Sequence, residues 1–145
     1  MTFAELKENF DLVDDWEDRY RYVIELGRAL PGLPDTDKTD ANKVRGCASQ
    51  VWLVTRLSPQ GAGKAPLMHI DGDSDAHIVR GLVAILLTIY QDRSADAIAA
   101  HDALTDFAEL GLKDHLTPQR SNGLASMVAR IRAEAKHAVT QSAAG

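Results

Sequence analysis

The sequence predicts an α+β layer fold in which a small antiparallel sheet, a hairpin plus a short third strand, is packed with helices. Three observations carry this expectation. Period-two alternation is confined to the middle of the chain, helical spacing dominates both ends, and the segment after the hairpin is apolar nearly all round. An alternating β-α-β pattern, the mark of a parallel sheet, is missing.

Taken in order, Thr2 with Glu5 and Asp14 with Glu17 each set an N-cap acceptor three residues before a carboxylate, so two helices are expected to start there. The second carries Trp16, Tyr20, Val23 and Ile24 at helical spacing and must stop by Pro31, which lacks an amide proton. Pro31 to Gly46 reads as an irregular connection, long enough in a small domain to suggest function. Ser49 to Leu57 alternates as a strand, with Val51, Leu53, Thr55 and Leu57 on one face and Trp52, Val54 and Arg56 on the other. Pro59, Gly61 and Gly63 turn the chain, and Leu67 to Asp71 returns antiparallel.

Asp73 and Ser74 are expected to cap the next helix, about residues 75–91, whose central stripe is Ile78, Leu82, Ile85, Leu86 and Ile89. Two shorter helices follow, the first capped by Ser94 and the second ended by Gly111. Thr117 and Pro118 form an N-cap and N1 pair opening a final helix buried along Leu124, Val128, Ile131 and Ala135. A two-stranded hairpin alone is marginal, so a third strand is expected around Lys43 to Arg45. Residues 1–140 read as one domain and 141–145 as a flexible tail.

Composition narrows the function. The 145 residues include 16 basic and 21 acidic side chains, a net charge of -5, and a single cysteine, Cys47. One thiol forms no internal disulfide and cannot supply the several thiolates of a zinc ribbon or iron–sulfur cluster, which fits a reducing compartment. The acidic balance, without a lysine or arginine cluster, argues against nucleic acid as the ligand. The longest apolar stretch, Gly81 to Tyr90, is about half the ~20 residues needed to span a bilayer. The amino terminus is broken by Glu5, Lys7, Glu8 and Asp11, unlike a secretory or transit segment. A cytoplasmic protein acting on a protein or small-molecule partner, with no nucleic acid and no membrane, is the expectation.

Cys47 stands between Gly46 and Ala48, where the long loop meets the strongest strand. It could be a small buried hydrophobe. Its position argues for chemistry instead: Gly46 frees the backbone, and Arg45 and Lys43 bring positive charge that favours a thiolate. A Cys–His hydrolase finds no support, since the five histidines sit in no protease context, and Cys47 with Asp75 and His77 makes a poor metal set. Ser49 and Gln50 are candidates to order the cysteine loop, against a plain role as strand polarity. Trp52 reads as core.

Four collinear segments then resemble the SufE family, the SufE- and CsdE-like sulfur acceptors of iron–sulfur cluster assembly. They are E-L-G-R-A-L-P from Glu25 to Pro31, V-R-G-C-A-S-Q-V-W-L from Val44 to Leu53, G-D-S-D-A-H-I-V-R-G-L from Gly72 to Leu82, and H-L-T-P-Q-R-S-N-G-L from His115 to Leu124. The similarity runs from about Phe3 to Ala135, and departs from the family in a longer Gly61 to Pro66 turn and a small extra tail.

The resemblance implies a SufE/IscU-like fold. It implies that Cys47 takes a sulfane sulfur, as a persulfide, from a cysteine desulfurase of the SufS or CsdA kind, stimulates that enzyme, and passes the sulfur to an iron–sulfur scaffold of the SufBCD kind. This chain would bind no cofactor, the pyridoxal phosphate belonging to the desulfurase, and would be a monomer or weak homodimer. Asp75 and Arg120 match the family residues near the cysteine loop and the desulfurase surface; a helix-start charge for Asp75 and an internal ion pair to it for Arg120 stay open. A second functional class also stays open, a non-catalytic adaptor that regulates a desulfurase. In the resting state the Cys47 side chain is expected to pack inward near Trp52 and the Gly81 to Tyr90 helix, where low polarity disfavours thiolate.

Overall fold

A computed structural model describes the backbone of residues 1–144 and the side chains through Gln141. Six α-helices are present among these residues: α1 (Phe3–Asp11), α2 (Trp16–Arg28), α3 (His77–Tyr90), α4 (Ala95–Ala100), α5 (Leu104–Glu109) and α6 (Pro118–Ala144). The sheet has strands β1 (Val51–Ser58), β2 (Leu67–Ser74) and β3 (Arg93–Ser94) in the order β1-β2-β3. The architecture is the expected α+β type.

The helix starts follow local chemistry. Thr2 Oγ1 accepts the Glu5 amide at 3.2 Å, as expected. At α2 the cap moves one residue on: Asp15, not Asp14, is extended and accepts the Glu17 amide at 2.9 Å. Thr117 opens α6, accepting the Arg120 amide on its hydroxyl and the Ser121 amide on its carbonyl. Gly111, at φ 74°, ends the α5 turn, and Ser94 stands before α4 without a side-chain bond to its amides.

β1 and β2 pair antiparallel from Val51 opposite Ser74 to Ser58 opposite Leu67. The return strand is therefore three residues longer than its alternation suggested, and Asp73 and Ser74 are its last residues rather than helix caps. They are kept in the ladder by pairing with Trp52 and Val51. α3 begins at His77 after Ala76, whose amide is taken by Ser74 Oγ at 3.2 Å. The buried half of β1 is Val51 to Leu53; its far end runs into solvent, leaving Leu57 48% exposed despite the alternation.

The third strand also differs from expectation. Arg93–Ser94 pairs with Leu67–Met68, after Asp92 turns the chain at φ 56°. Beside it the Gln91 amide acts as a strand segment, donating to the Ile70 carbonyl at 2.6 Å and accepting the Ile70 amide at 2.7 Å. The Lys43 region contributes an isolated bridge to Trp52, with the Val44 amide on the Val51 carbonyl and the Leu53 amide on the Asn42 carbonyl. The pairing stops there because Gly46, at φ 90°, diverts the chain away from β1.

α3 is the centre of the molecule. Leu82, Val83, Ile85 and Leu86 are fully buried, between the sheet and the flanking helices. α2 crosses α3 at two glycines: a Cβ on Gly81 would stand 2.2 Å from the Val23 carbonyl oxygen, and one on Gly27 2.6 Å from the Gly81 nitrogen. α6 closes the domain with Leu124, Met127, Val128, Ile131 and Ala135 inward. Its Arg130 donates to the carbonyls of Ala41 at 2.7 Å and Lys43 at 3.0 Å, tying down the loop that leads to the cysteine. The helix continues through Ala144, into the stretch expected as a tail, and Gly145 lies outside the described residues. Among the described residues no helix is long and apolar enough to cross a membrane.

Candidate functional site

Residues 45–50 project from the start of β1, pinned at one end by the Val44 to Val51 hydrogen bond at 2.8 Å. Gly46 is required here twice over. Its φ of 90° is left-handed, and a Cβ would meet Ser126 Oγ of α6 at 2.5 Å. The turn delivers Cys47 onto the first half of α6, where its thiol donates to the Gly123 carbonyl at 3.4 Å. Cys47 is half-buried on the rim of a cavity of about 210 Å³, lined by Ser49, Val79, Leu82, Arg120, Gly123 and Met127 among others.

Burial pushes the Cys47 thiol pKa up. The positive charge of Arg45 and Lys43, expected to favour the thiolate, does not offset it: Arg45 lies in solvent. The inward packing is against the expected helix but not against Trp52. Cys47 faces Val79 and Leu82 of α3 and Met127 of α6, while Trp52 does not line the cavity and is instead 9% exposed beneath the Lys38 ammonium.

The other end of the loop is clamped to the end of β2. Asp75 Oδ1 accepts the Gln50 amide at 3.0 Å, and the Gln50 carbonyl accepts the Ser74 hydroxyl at 2.8 Å and the Asp75 amide at 3.3 Å. Gln50 thus orders the loop through its backbone. Asp73, only two residues from Asp75, does something different. It is 5% exposed, accepts the amides of Leu33 and Ser74, and pairs with Arg80 and Lys38 at 3.5 Å each. Burial works to raise its pKa, but the two backbone hydrogen bonds and the two cations outweigh it and hold it below the usual carboxylate range.

No histidine lines the cavity among the described residues: His69 is held between Asp71 and Asp92, His101 is paired with Asp106, and His115 stacks on Trp16. Nor do three His, Cys, Asp or Glu side chains of the described residues gather closely enough for a metal ion. The site offers one thiol, an apolar wall, the Gly123 carbonyl, the polar side chains of Ser49, Thr117 and Gln119, and a single guanidinium.

Residues 4–135 match a family profile described as "SufE: Fe-S metabolism associated domain". The chain belongs to the SufE family. An uncharacterized SufE-like protein of Rhizobium etli is 59% identical over 135 residues, covering 93% of this chain and 90% of its own, and one of Rhizobium meliloti is 53% identical over 93% and 95%. The solution structure of a hypothetical protein from Thermus thermophilus shares the fold at TM-score 0.71 and 19% identity, covering 97% of this chain and 99% of that one. SufE membership places the chain in iron–sulfur metabolism.

Three of the four SufE-like segments converge. The cysteine segment, the D-S-D segment and the start of α6 meet at one end of the sheet, with Cys47, Ser49 and Arg120 on one cavity and Asp75 clamping Gln50 beside it. Asp75 and Arg120 form no ion pair among the described residues; Arg120 is exposed and lines the same cavity as the thiol. The expected packing of Cys47 against the Gly81 to Tyr90 helix covers Leu82, but sequence reasoning missed the rest of the floor, Val79, Gly123 and Met127. Only Gly123 carried a signal, a glycine where an unbroken helix is otherwise expected.

Proposed function

We propose that this SufE-family protein accepts a sulfane sulfur on Cys47 from the persulfide of a SufS- or CsdA-like cysteine desulfurase and hands it to a SufBCD-like iron–sulfur scaffold. The observation that carries the reading is the arrangement of the chain's sole thiol. It sits on a loop anchored at both ends yet held in the middle by one weak S–H···O=C contact, with no histidine and no cluster of metal-ligating side chains beside it among the described residues. Sulfur transfer between thiols needs neither. The Cys47 thiolate attacks the outer sulfur of the partner's R–S–SH, a Cys47 Sγ–S bond forms, the R–S bond to that sulfur breaks, and R–S⁻ leaves. Oxidation level is conserved, since the sulfane sulfur moves from one thiol to another.

On this reading the remaining residues take the following parts. At rest the thiol is turned inward and its pKa raised, so it reacts poorly with solutes. A docking desulfurase would draw residues 45–49 outward, breaking the contact to Gly123, while Val44 and Gln50 stay fixed as hinges. Arg120, lining the same cavity, offsets the negative charge of a thiolate or persulfide. Asp75 presents a partner-facing carboxylate while holding Gln50. A lone thiol also protects the cargo, because a second one nearby would resolve the persulfide to a disulfide. The protein would work in the cytoplasm without a cofactor of its own.

Desulfurase turnover in the presence of excess protein tests the reading. The wild-type chain is expected to raise turnover severalfold, and Cys47→Ser to bind the desulfurase without raising it. A Cys47→Ser protein that stimulates as well as wild type would overturn sulfur acceptance and favour the adaptor.

A further inference from the structure

Gly123 is a different kind of glycine from the others that pack tightly. It lies inside α6, it is not one of the residues with positive φ, and its backbone needs nothing that alanine cannot adopt. Nor is it there to let two backbones touch. A Cβ at Gly27, Gly72 or Gly81 would approach a neighbouring atom to between 2.2 and 2.6 Å, a contact that forces something to move. A Cβ at Gly123 would stand 3.4 Å from Cys47 Sγ and 3.7 Å from its Cα and Cβ, which is ordinary van der Waals contact. Alanine therefore fits against the resting thiol and would strengthen the helix. The glycine leaves room that the thiol does not use.

We infer that Gly123 is a positioning residue that reserves space for the outer sulfur of a Cys47 persulfide. An S–S bond is about 2.05 Å long, so the added sulfur lies nearer to Sγ than the absent methyl would. A methyl 3.4 Å from Sγ would fill the space beside Cys47 on the α6 side of the cavity, where an outer sulfur would otherwise lie. With glycine the sulfur turns inward against Val79, Leu82 and Met127, out of reach of solutes. This inference rests on the reading of Cys47 as the sulfur carrier, and adds to it the residue that lets the carrier close again after loading.

The test loads Cys47 chemically, so that it does not depend on a desulfurase. Inorganic polysulfide supplies the sulfane sulfur: the Cys47 thiolate takes its terminal sulfur, forming Cys47–S–S⁻, and a polysulfide dianion shorter by one atom leaves. A water-soluble phosphine then removes the outer sulfur as phosphine sulfide and returns the thiolate, and intact mass is followed over time. Gly123→Ala is expected to keep or raise the melting temperature, leave the iodoacetamide rate of the unloaded thiol within twofold, and shorten the persulfide half-life at least tenfold. Asn122→Ala, one position along on the exposed side of the helix, is expected to leave the half-life unchanged. An unchanged half-life in Gly123→Ala, or a melting temperature lowered by several degrees, overturns the inference and makes Gly123 a structural glycine. A wild-type protein that holds chemically loaded sulfur but takes none from a desulfurase would instead count against the functional reading alone.

Discussion

The α2–α3 crossing and the Cys47 loop both bring backbone close to a helix through glycine, yet their tolerances differ. At Gly81 a Cβ would stand 2.2 Å from the Val23 carbonyl oxygen; at Gly123 it would stand 3.4 Å from Cys47 Sγ. The first contact is closed, among side chains that are fully buried. The second is slack, at the rim of a cavity, with the thiol held by a single weak hydrogen bond. A neighbouring pair of carboxylates repeats the contrast. Asp73 is buried in a network of two amides and two cations, whereas exposed Asp75 gives one oxygen to the Gln50 amide. The molecule separates a frame that must not move from a loop whose midpoint can.

The largest effect expected on the frame is from Gly81→Ala. The methyl collides with backbone, and denaturant unfolding should show a loss of about 3 kcal/mol; a loss under about 1 kcal/mol would mean the crossing is not closed. Asp73→Asn comes next, at about 2 kcal/mol, because Arg80 and Lys38 lose their buried partner. The pH dependence has a definite sign. A carboxylate with a lowered folded pKa stabilises above its unfolded value near pH ~4 and loses that contribution as the pH falls through the folded pKa. The wild-type protein should therefore lose stability more steeply than Asp73→Asn on acidification, and parallel curves would show that Asp73 is not what holds the 31–38 loop to β2.

Asp75→Ala sharpens the contrast with a smaller effect. It removes one hydrogen bond, about 1 kcal/mol or less, but frees the hinge at Gln50. Iodoacetamide should then modify Cys47 several times faster at an almost unchanged melting temperature. A rate equal to wild type would show that the loop is restrained elsewhere. A smaller change still is expected for Trp52→Phe, which keeps an aromatic side chain in the core away from the cavity and should leave Cys47 reactivity within twofold.

Much of this was legible in the residues. The helical stripe of α3, the Thr117–Pro118 start of α6 and the alternation of β1 follow from period and cap chemistry that act within a few residues. Collinear SufE-like motifs pointed to Cys47, Asp75 and Arg120, and the fold sets Cys47 and Arg120 on one cavity with Asp75 bound to Gln50 of the cysteine loop. Where the reading went astray, the deciding contact was distant. Asp73 and Ser74 look like caps locally, but pairing with Trp52 and Val51 keeps them in the strand. Arg93–Ser94 is too short to alternate and exists as a strand only because β2 is there to pair with it. The choice of Asp15 over Asp14 was a shift of one position between two equivalent carboxylates. Most of the cavity floor could not be seen, since Val79 and Met127 read simply as core until the cysteine loop is laid over them.

Sulfur acceptance on Cys47 is tested most directly by intact mass spectrometry after incubation with a SufS-like desulfurase and cysteine. The wild-type chain is expected to gain the mass of one sulfur atom, lost again on reduction and never gained by Cys47→Ser. An active desulfurase that leaves the wild-type mass unchanged would contradict the assignment of Cys47 as the sulfur-carrying residue.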